Sequence, residues 1–256
     1  MSDNPGICIH EEAGWQPPDA QRAELLATLR AMSDAGLNVG TAGNASVRLT
    51  EAGAGVEVVS PAQPSAGVSD PRCIRMLISP SGLPAERCRP QDMVVVEADG
   101  GYAGALVPSS EWKLHHDIYA AFPHAGAVLH AHSPFATALA CQRVEIPPFH
   151  YMIARFGGST VRCARYATFG TQSLSDAAVA ALDGRNACLL ANHGMVVYGR
   201  DLAHALALAI EFETLCEQYW RTRQLGAPVL LSEEEMSEVI ERFKWYGKPR
   251  ALRPSQ

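Results

Sequence analysis

The sequence predicts a single α/β domain, and three observations carry that prediction. Short apolar runs recur at Met76-Leu-Ile78, Met93-Val-Val-Val-Glu97, Val128-Leu-His-Ala-His132 and Ala187-Cys-Leu-Leu-Ala191, each of strand length. Between them lie stripes at helical spacing, such as Leu25, Leu26, Leu29 and Met32, or Leu202, Leu206, Ala209 and Phe212. Of the 256 residues, 47% are hydrophobic and 19% charged, enough apolar material for a sizeable core. Strand and helix segments that alternate favour crossover units, so spacing alone predicts a parallel sheet.

Taken in order, residues 1–18 read as a flexible leader rich in Pro, Gly and acid, and 19–256 as one domain. Asp19 is placed to cap the first helix and Gly36 to close it. Gly40-Thr-Ala-Gly-Asn-Ala-Ser46 then leads into Val47-Arg-Leu49, and its small residues allow backbone amides to approach an anion. Residues 50–72 read as an exposed insertion with a short strand at Val56-Glu-Val-Val59. Ser79-Pro-Ser-Gly82 is a tight turn that presents hydroxyls and amides. Pro108-Ser-Ser-Glu111 opens a helix with Ser109 or Ser110 as N-cap and Leu114, Ile118, Tyr119 and Phe122 as its apolar face. Capping and the helix dipole alone account for Ser-Ser-Glu, without any ligand.

The second half repeats the pattern. Pro123 ends that helix and the strand to His132 follows, then a helix over Phe135 to Cys141. Pro147-Pro-Phe-His-Tyr151 is a stiff segment broken by Gly157-Gly158, and Val161 to Ala164 reads as a strand. A helix over Ser173 to Leu182 stops at Gly184. The run from Ala187 through Asn192-His-Gly194 to Val197 reads as a strand that continues past the histidine. Asp201 caps a long helix that ends near Gly226, and Ser232-Glu-Glu-Glu235 is a capping box for a last helix to Tyr246.

Charge and cysteine content exclude several classes. Net charge is −6, from 27 acidic and 21 basic residues without a basic run, which argues against nucleic acid or an anionic membrane as partner. Seven cysteines are scattered and lack C-x-x-C spacing, as in a reduced, cytoplasmic protein. The N-terminus has no signal-peptide pattern, and no stretch approaches the roughly 18 apolar residues of a membrane span.

Chemistry concentrates at the ends of apolar runs. Side chains alternate along a strand, so His130 and His132 share a face a few ångströms apart, half of a divalent-metal site. His193 ends another apolar run and Glu111 stands at a helix start, so three histidines and a carboxylate are available. Three histidines with one position left open form the catalytic zinc arrangement, whereas a structural site is normally closed and cysteine-rich. His115, His116 and His124 are read as surface or packing histidines. No H-E-x-x-H, P-loop, G-x-G-x-x-G or G-x-S-x-G pattern occurs.

The ordered set Gly43-Asn-Ala-Ser46, Ser79-Pro-Ser-Gly82, Ser109-Ser-Glu111, His130-Ala-His132 and Asn192-His-Gly194 resembles the class II aldolase/epimerase family. The likeness extends through His150-Tyr-Met-Ile-Ala154, Cys163 to Gly170, and Arg242-Phe-Lys-Trp-Tyr-Gly247, so it covers about residues 20 to 247. Departures are the leader, the insertion at 50–72, and serines at 79 and 81 where relatives often carry threonine.

This resemblance implies a three-layer α/β/α fold with a largely antiparallel central sheet flanked by helices, in place of the parallel sheet. It implies one zinc ion per subunit held by Glu111, His130, His132 and His193. It places a substrate phosphate against Gly43, Asn44, Ser81, Gly82, Ser109 and Ser110, with Phe169 also at the substrate. Glu111 would also move the proton at C3, and Tyr151 of a neighbouring subunit would serve as acid/base on the aldehyde half, with Tyr246 closing over it. A homotetramer with active sites at subunit interfaces is implied too. The activity implied is reversible cleavage of a ketose 1-phosphate, L-fuculose 1-phosphate first among candidates, to dihydroxyacetone phosphate and a short aldehyde (L-lactaldehyde). Alternatives are cleavage of 5-deoxyribulose 1-phosphate or its methylthio analogue, and 4-epimerisation of a pentulose phosphate, where relatives typically have aspartate in place of Glu111. A non-enzymatic adducin-like scaffold is disfavoured because all four polar groups are present.

Overall fold

Eight strands form one sheet in a computed structural model that describes residues 17–49 and 74–246. In chain order they are β1 (Asn44–Leu49), β2 (Arg75–Ile78), β3 (Val94–Val96), β4 (Tyr102–Ala103), β5 (Ala127–Ala131), β6 (Cys163–Ala164), β7 (Ala187–Leu190) and β8 (Gly194–Gly199). Six α-helices accompany them among the described residues: α1 (Asp19–Asp34), α2 (Trp112–Ala121), α3 (Pro134–Cys141), α4 (Gln172–Ala181), α5 (Leu202–Leu225) and α6 (Glu233–Phe243). Across the sheet the order is β4-β3-β2-β1-β5-β8-β7-β6.

Every neighbouring pair is antiparallel except β6 with β7. The parallel sheet expected from spacing is therefore corrected, and the antiparallel sheet implied by the family likeness is present. The reason lies in the packing. Leu77, Val95, Leu129 and Val197 point into one core with α1, α3 and α5, while Met76, Val94, Val128 and Val196 point into another with α2 and α4. An antiparallel sheet buried on both faces yields the continuous apolar runs that normally mark parallel strands.

A second correction concerns His193. The chain does not run straight from β7 into β8; it reverses through Ala191-Asn-His193, and the two strands pair antiparallel. Asn192 takes the left-handed conformation at φ 53°, which asparagine tolerates better than most residues. A reversal this short, without a crossover helix, can only join antiparallel strands.

Helix ends agree in the main. Asp201 caps α5 by accepting from the His204 amide at 2.7 Å, and Ser232 and Glu235 form the expected capping box of α6. Two caps differ. Pro18 occupies the N-cap position of α1, with Asp19 in its first turn. Glu111, not Ser109 or Ser110, occupies the N-cap position of α2, and its side chain makes no cap bond because it is turned elsewhere. Most of the leader and the whole insertion at 50–72, including its expected strand, lie outside the described residues, as does Gly247. No helix of the described residues is long and apolar enough to cross a membrane.

Candidate metal centre and phosphate pocket

Four side chains converge where β5, the β7–β8 turn and the start of α2 meet. The donor atoms of Glu111, His130, His132 and His193 all lie within 4.8 Å of one another. Glu111 Oε2 is 3.2 Å from His130 Nε2, and Glu111 Oε1 is 3.5 Å from His193 Nε2. His130 Nε2 and His132 Nε2 are 2.9 Å apart, both on the face that the two-residue strand period gives them. Gly194 makes room for this: a Cβ there would sit 2.3 Å from the Ala131 carbonyl oxygen and 3.2 Å from His132 Cδ2.

The protonation state suits a cation. His130 Nδ1 donates to the Met195 carbonyl at 2.8 Å, so its Nε2 presents a lone pair to the cluster. Burial, then the neighbouring imidazole, pushes His130 down to about 3, and burial with His130 beside it takes His193 to about 4. Burial lowers His132 as well. All three rings are thus neutral at pH 7 and able to act as ligands. Glu111 Oε1 is buried and makes no hydrogen bond, a costly arrangement for a carboxylate oxygen unless a cation completes it. These four groups would hold one divalent ion.

Beside the cluster is a cavity of about 370 Å³. Gly43, Asn44, Ser81, Gly82, Ser109, Ser110 and Phe169 all line it, so every expected phosphate residue sits against the expected metal ligands. The local hydrogen bonds explain why. Ser79 N donates to the Ala45 carbonyl, Ser81 N to Val107 and Ser109 N to Ser79, which ties the 43–45, 79–82 and 107–110 segments into one wall. Gly43 adopts φ 77°, and a Cβ there would meet Asn38 Oδ1 at 2.1 Å, so the approach requires glycine. Among the described residues, no lysine or arginine lines the cavity.

Three further features carry little sequence signal. Thr41, Tyr166 and Asn192 also line the cavity, and only their neighbours in the motifs pointed to them. His115, read above as a surface or packing residue, is fully buried, and both of its ring nitrogens are hydrogen-bonded, to Asn44 Oδ1 at 2.5 Å and Ser46 Oγ at 2.7 Å. Asn44 itself donates to Glu111 Oε2 at 3.0 Å, which leaves its other amide hydrogen for the cavity. His116 bonds to Asp117 and His124 to Tyr198, both outside the cluster. Tyr151 and Tyr246 do not line the cavity within one chain; they are 50% and 76% exposed.

Residues 23–220 match the family model for the class II aldolase and adducin N-terminal domain. The chain belongs to the class II aldolase family. A 5-methylthioribulose-1-phosphate/5-deoxyribulose-1-phosphate aldolase of Rhodospirillum rubrum is 48% identical over 228 residues, covering 89% of this chain and 93% of the relative. An L-fuculose phosphate aldolase of Escherichia coli K12 is 38% identical over 225 residues, 88% of this chain and 94% of that one. A solved L-fuculose 1-phosphate aldolase superposes with a TM-score of 0.77 at 34% identity, covering 89% of this chain and 98% of the other. As a class II aldolase the chain is an aldehyde-lyase, and its Glu/His3 cluster is the group able to hold the metal on which this class depends.

Proposed function

We propose that the chain cleaves a 5-deoxypentulose 1-phosphate, 5-methylthioribulose 1-phosphate or 5-deoxyribulose 1-phosphate, to dihydroxyacetone phosphate and a short aldehyde, with zinc as the metal. The observation that carries the aldolase chemistry is the buried Glu111 Oε1, without a hydrogen bond among three neutral imidazoles, against a wall of serines and glycines. The R. rubrum relative at 48% identity supports this choice of substrate over L-fuculose 1-phosphate, which the motif likeness alone had put first. L-Fuculose 1-phosphate remains the second reading, on the strength of the relatives at 38% identity.

When bound, the ion supplies Lewis acidity toward substrate oxygens beside the carbonyl. The residues of the chain do the rest. Ser81, Gly82, Ser109, Ser110, Gly43 and the free Asn44 amide hydrogen hold the phosphate by hydroxyls and amides. Phe169 walls the substrate side. As C3–C4 breaks, a second acid/base takes the C4 hydroxyl proton, the electron pair passes toward C3 and C2, and Glu111 delivers a proton to C3. Tyr151 of an adjacent subunit is the group assigned to C4, with Tyr246 beside it. Its exposure in a single chain is what a residue shared across an interface would show. A homotetramer with composite sites belongs to this reading, and so does a cytoplasmic location, supported by five free cysteines among the described residues.

The test is a panel of the three ketose 1-phosphates, followed by coupled detection of dihydroxyacetone phosphate with and without chelator. Release from a 5-deoxypentulose phosphate, abolished by chelation and restored by zinc, is expected. Interconversion of pentulose 5-phosphates without any dihydroxyacetone phosphate would replace the aldolase reading with the epimerase.

A further inference from the structure

Behind Glu111 runs a line of hydrogen bonds whose far members, His115, Ser46 and Tyr119, have no part in the reaction. Glu111, Asn44, His115, Ser46 and Tyr119 follow one another at 3.0, 2.5, 2.7 and 2.8 Å. All five are buried; Ser46, His115 and Tyr119 are wholly so. They come from β1 and one face of α2, on the side of the sheet that carries His130.

The chemistry of the groups orients every bond. An ionised carboxylate only accepts, so Asn44 must turn its NH2 to Glu111 and its carbonyl to His115. That carbonyl also only accepts, so His115 must carry its proton on Nε2. Nδ1 is then a lone pair and takes the Ser46 hydroxyl proton, and Ser46 Oγ in turn accepts from Tyr119. Burial keeps His115 neutral, pushed down to about 3, so it is a fixed dipole and does not relay protons. Bonds aligned in one sense polarise each other.

We propose that His115 is a positioning residue for the metal carboxylate: through Asn44 it pins Glu111 Oε2 and leaves Oε1 directed at the metal and substrate. The inference rests on the metal reading above. A freely rotating Glu111 would exchange its two oxygens at the metal, whereas pinning Oε2 keeps Oε1 there. A histidine four residues after Glu111 on the same helix also ties the carboxylate to the rigid part of α2, since the backbone N–H of His115 faces the Glu111 carbonyl at 3.5 Å. Partners one shell behind a ligand commonly change metal affinity or activity by roughly 10–100-fold.

The experiment uses the full chain. Zinc affinity is measured by competition with a chelating indicator, and kcat and KM on whichever panel substrate the wild type cleaves. His115→Phe keeps the ring volume and removes both nitrogens. It is expected to weaken zinc about 10–100-fold and to lower kcat at saturating zinc. His115→Gln, whose amide can stand in for Nε2–H, should recover most of the loss. Because the effect runs through Asn44, adding His115→Phe to Asn44→Ala should do no further harm. A merely structural His115 would lower the melting temperature and leave zinc affinity alone. If the Phe variant does not fold, Ser46→Ala breaks the line one bond further back and should still weaken zinc several-fold. Folded variants with wild-type zinc affinity and kcat, or losses that multiply in the double variant, overturn the proposal. A wild-type chain that binds no zinc overturns the metal reading and this one together; zinc binding indifferent to His115 overturns this one alone.

Discussion

His130 Nδ1 donates to the carbonyl oxygen of Met195, 2.8 Å away on the neighbouring strand. This bond ties β5 to β8 and, by holding the proton on Nδ1, leaves Nε2 bare toward Glu111. The antiparallel pairing thereby sets the chemistry of a candidate ligand as well as its position.

Alanine at His130, His132 or His193 is expected to remove metal and activity together, since three neutral imidazoles and one carboxylate leave no spare ligand. Metal content by elemental analysis is the check. Chelation of the wild type should also lower its melting temperature, because the ion binds the folded chain alone. Full metal content in all three variants would break the assignment.

Glu111→Gln preserves shape and the Asn44 contact but cannot carry a proton. Turnover should fall far more than metal content, and hydrogen exchange at C3 of dihydroxyacetone phosphate should vanish. Unaltered exchange places the base elsewhere.

Replacing both Ser109 and Ser110 with alanine should raise KM for the phosphorylated substrate. Among the described residues, the cavity has no lysine or arginine to compensate. Steady-state kinetics against a non-phosphorylated analogue isolates the effect, and an unchanged KM would remove these serines from the phosphate site.

Tyr151→Phe should lower turnover roughly 10²–10⁴-fold while zinc content and C3 exchange persist. If Tyr151 acts in the adjacent subunit's site, mixing inactive Tyr151→Phe and Glu111→Gln proteins should restore activity in hybrid oligomers. Subunit exchange without any restoration would place Tyr151 outside that role.

The chelated protein should lose stability in acid. His115 titrates near 6.5 when unfolded and about 3 when folded, so below 6.5 the unfolded chain binds the extra proton. The contribution is complete above pH 6.5 and declines toward pH 3, at about 1 kcal/mol per pH unit for one such group. Urea unfolding from pH 7 to pH 4.5 measures the slope, and His115→Gln should make it shallower. Equal slopes would mean that His115 is not buried neutral.

The sequence by itself named side chains that the fold then brings together at one cavity. His130 and His132 were legible because strand alternation is a local rule, and Gly43, Ser81 and Ser109 because turns and helix starts announce themselves in a few residues. The direction of the strands was not legible, since Leu129 and Val128 face two different cores and their run looks the same in either kind of sheet. Nor was the reversal at Asn192, because an apolar run on each side of a turn reads as one strand. His115 shows the limit most plainly. On its helix it is one more histidine beside His116, and nothing nearby in sequence distinguishes them. Only the packing of β1 against α2 brings Asn44 and Ser46 to its two nitrogens, from 71 and 69 residues away. Local pattern names the side chains; long-range contact, which depends on how the sheet is ordered, assigns them partners and hence their protonation and role.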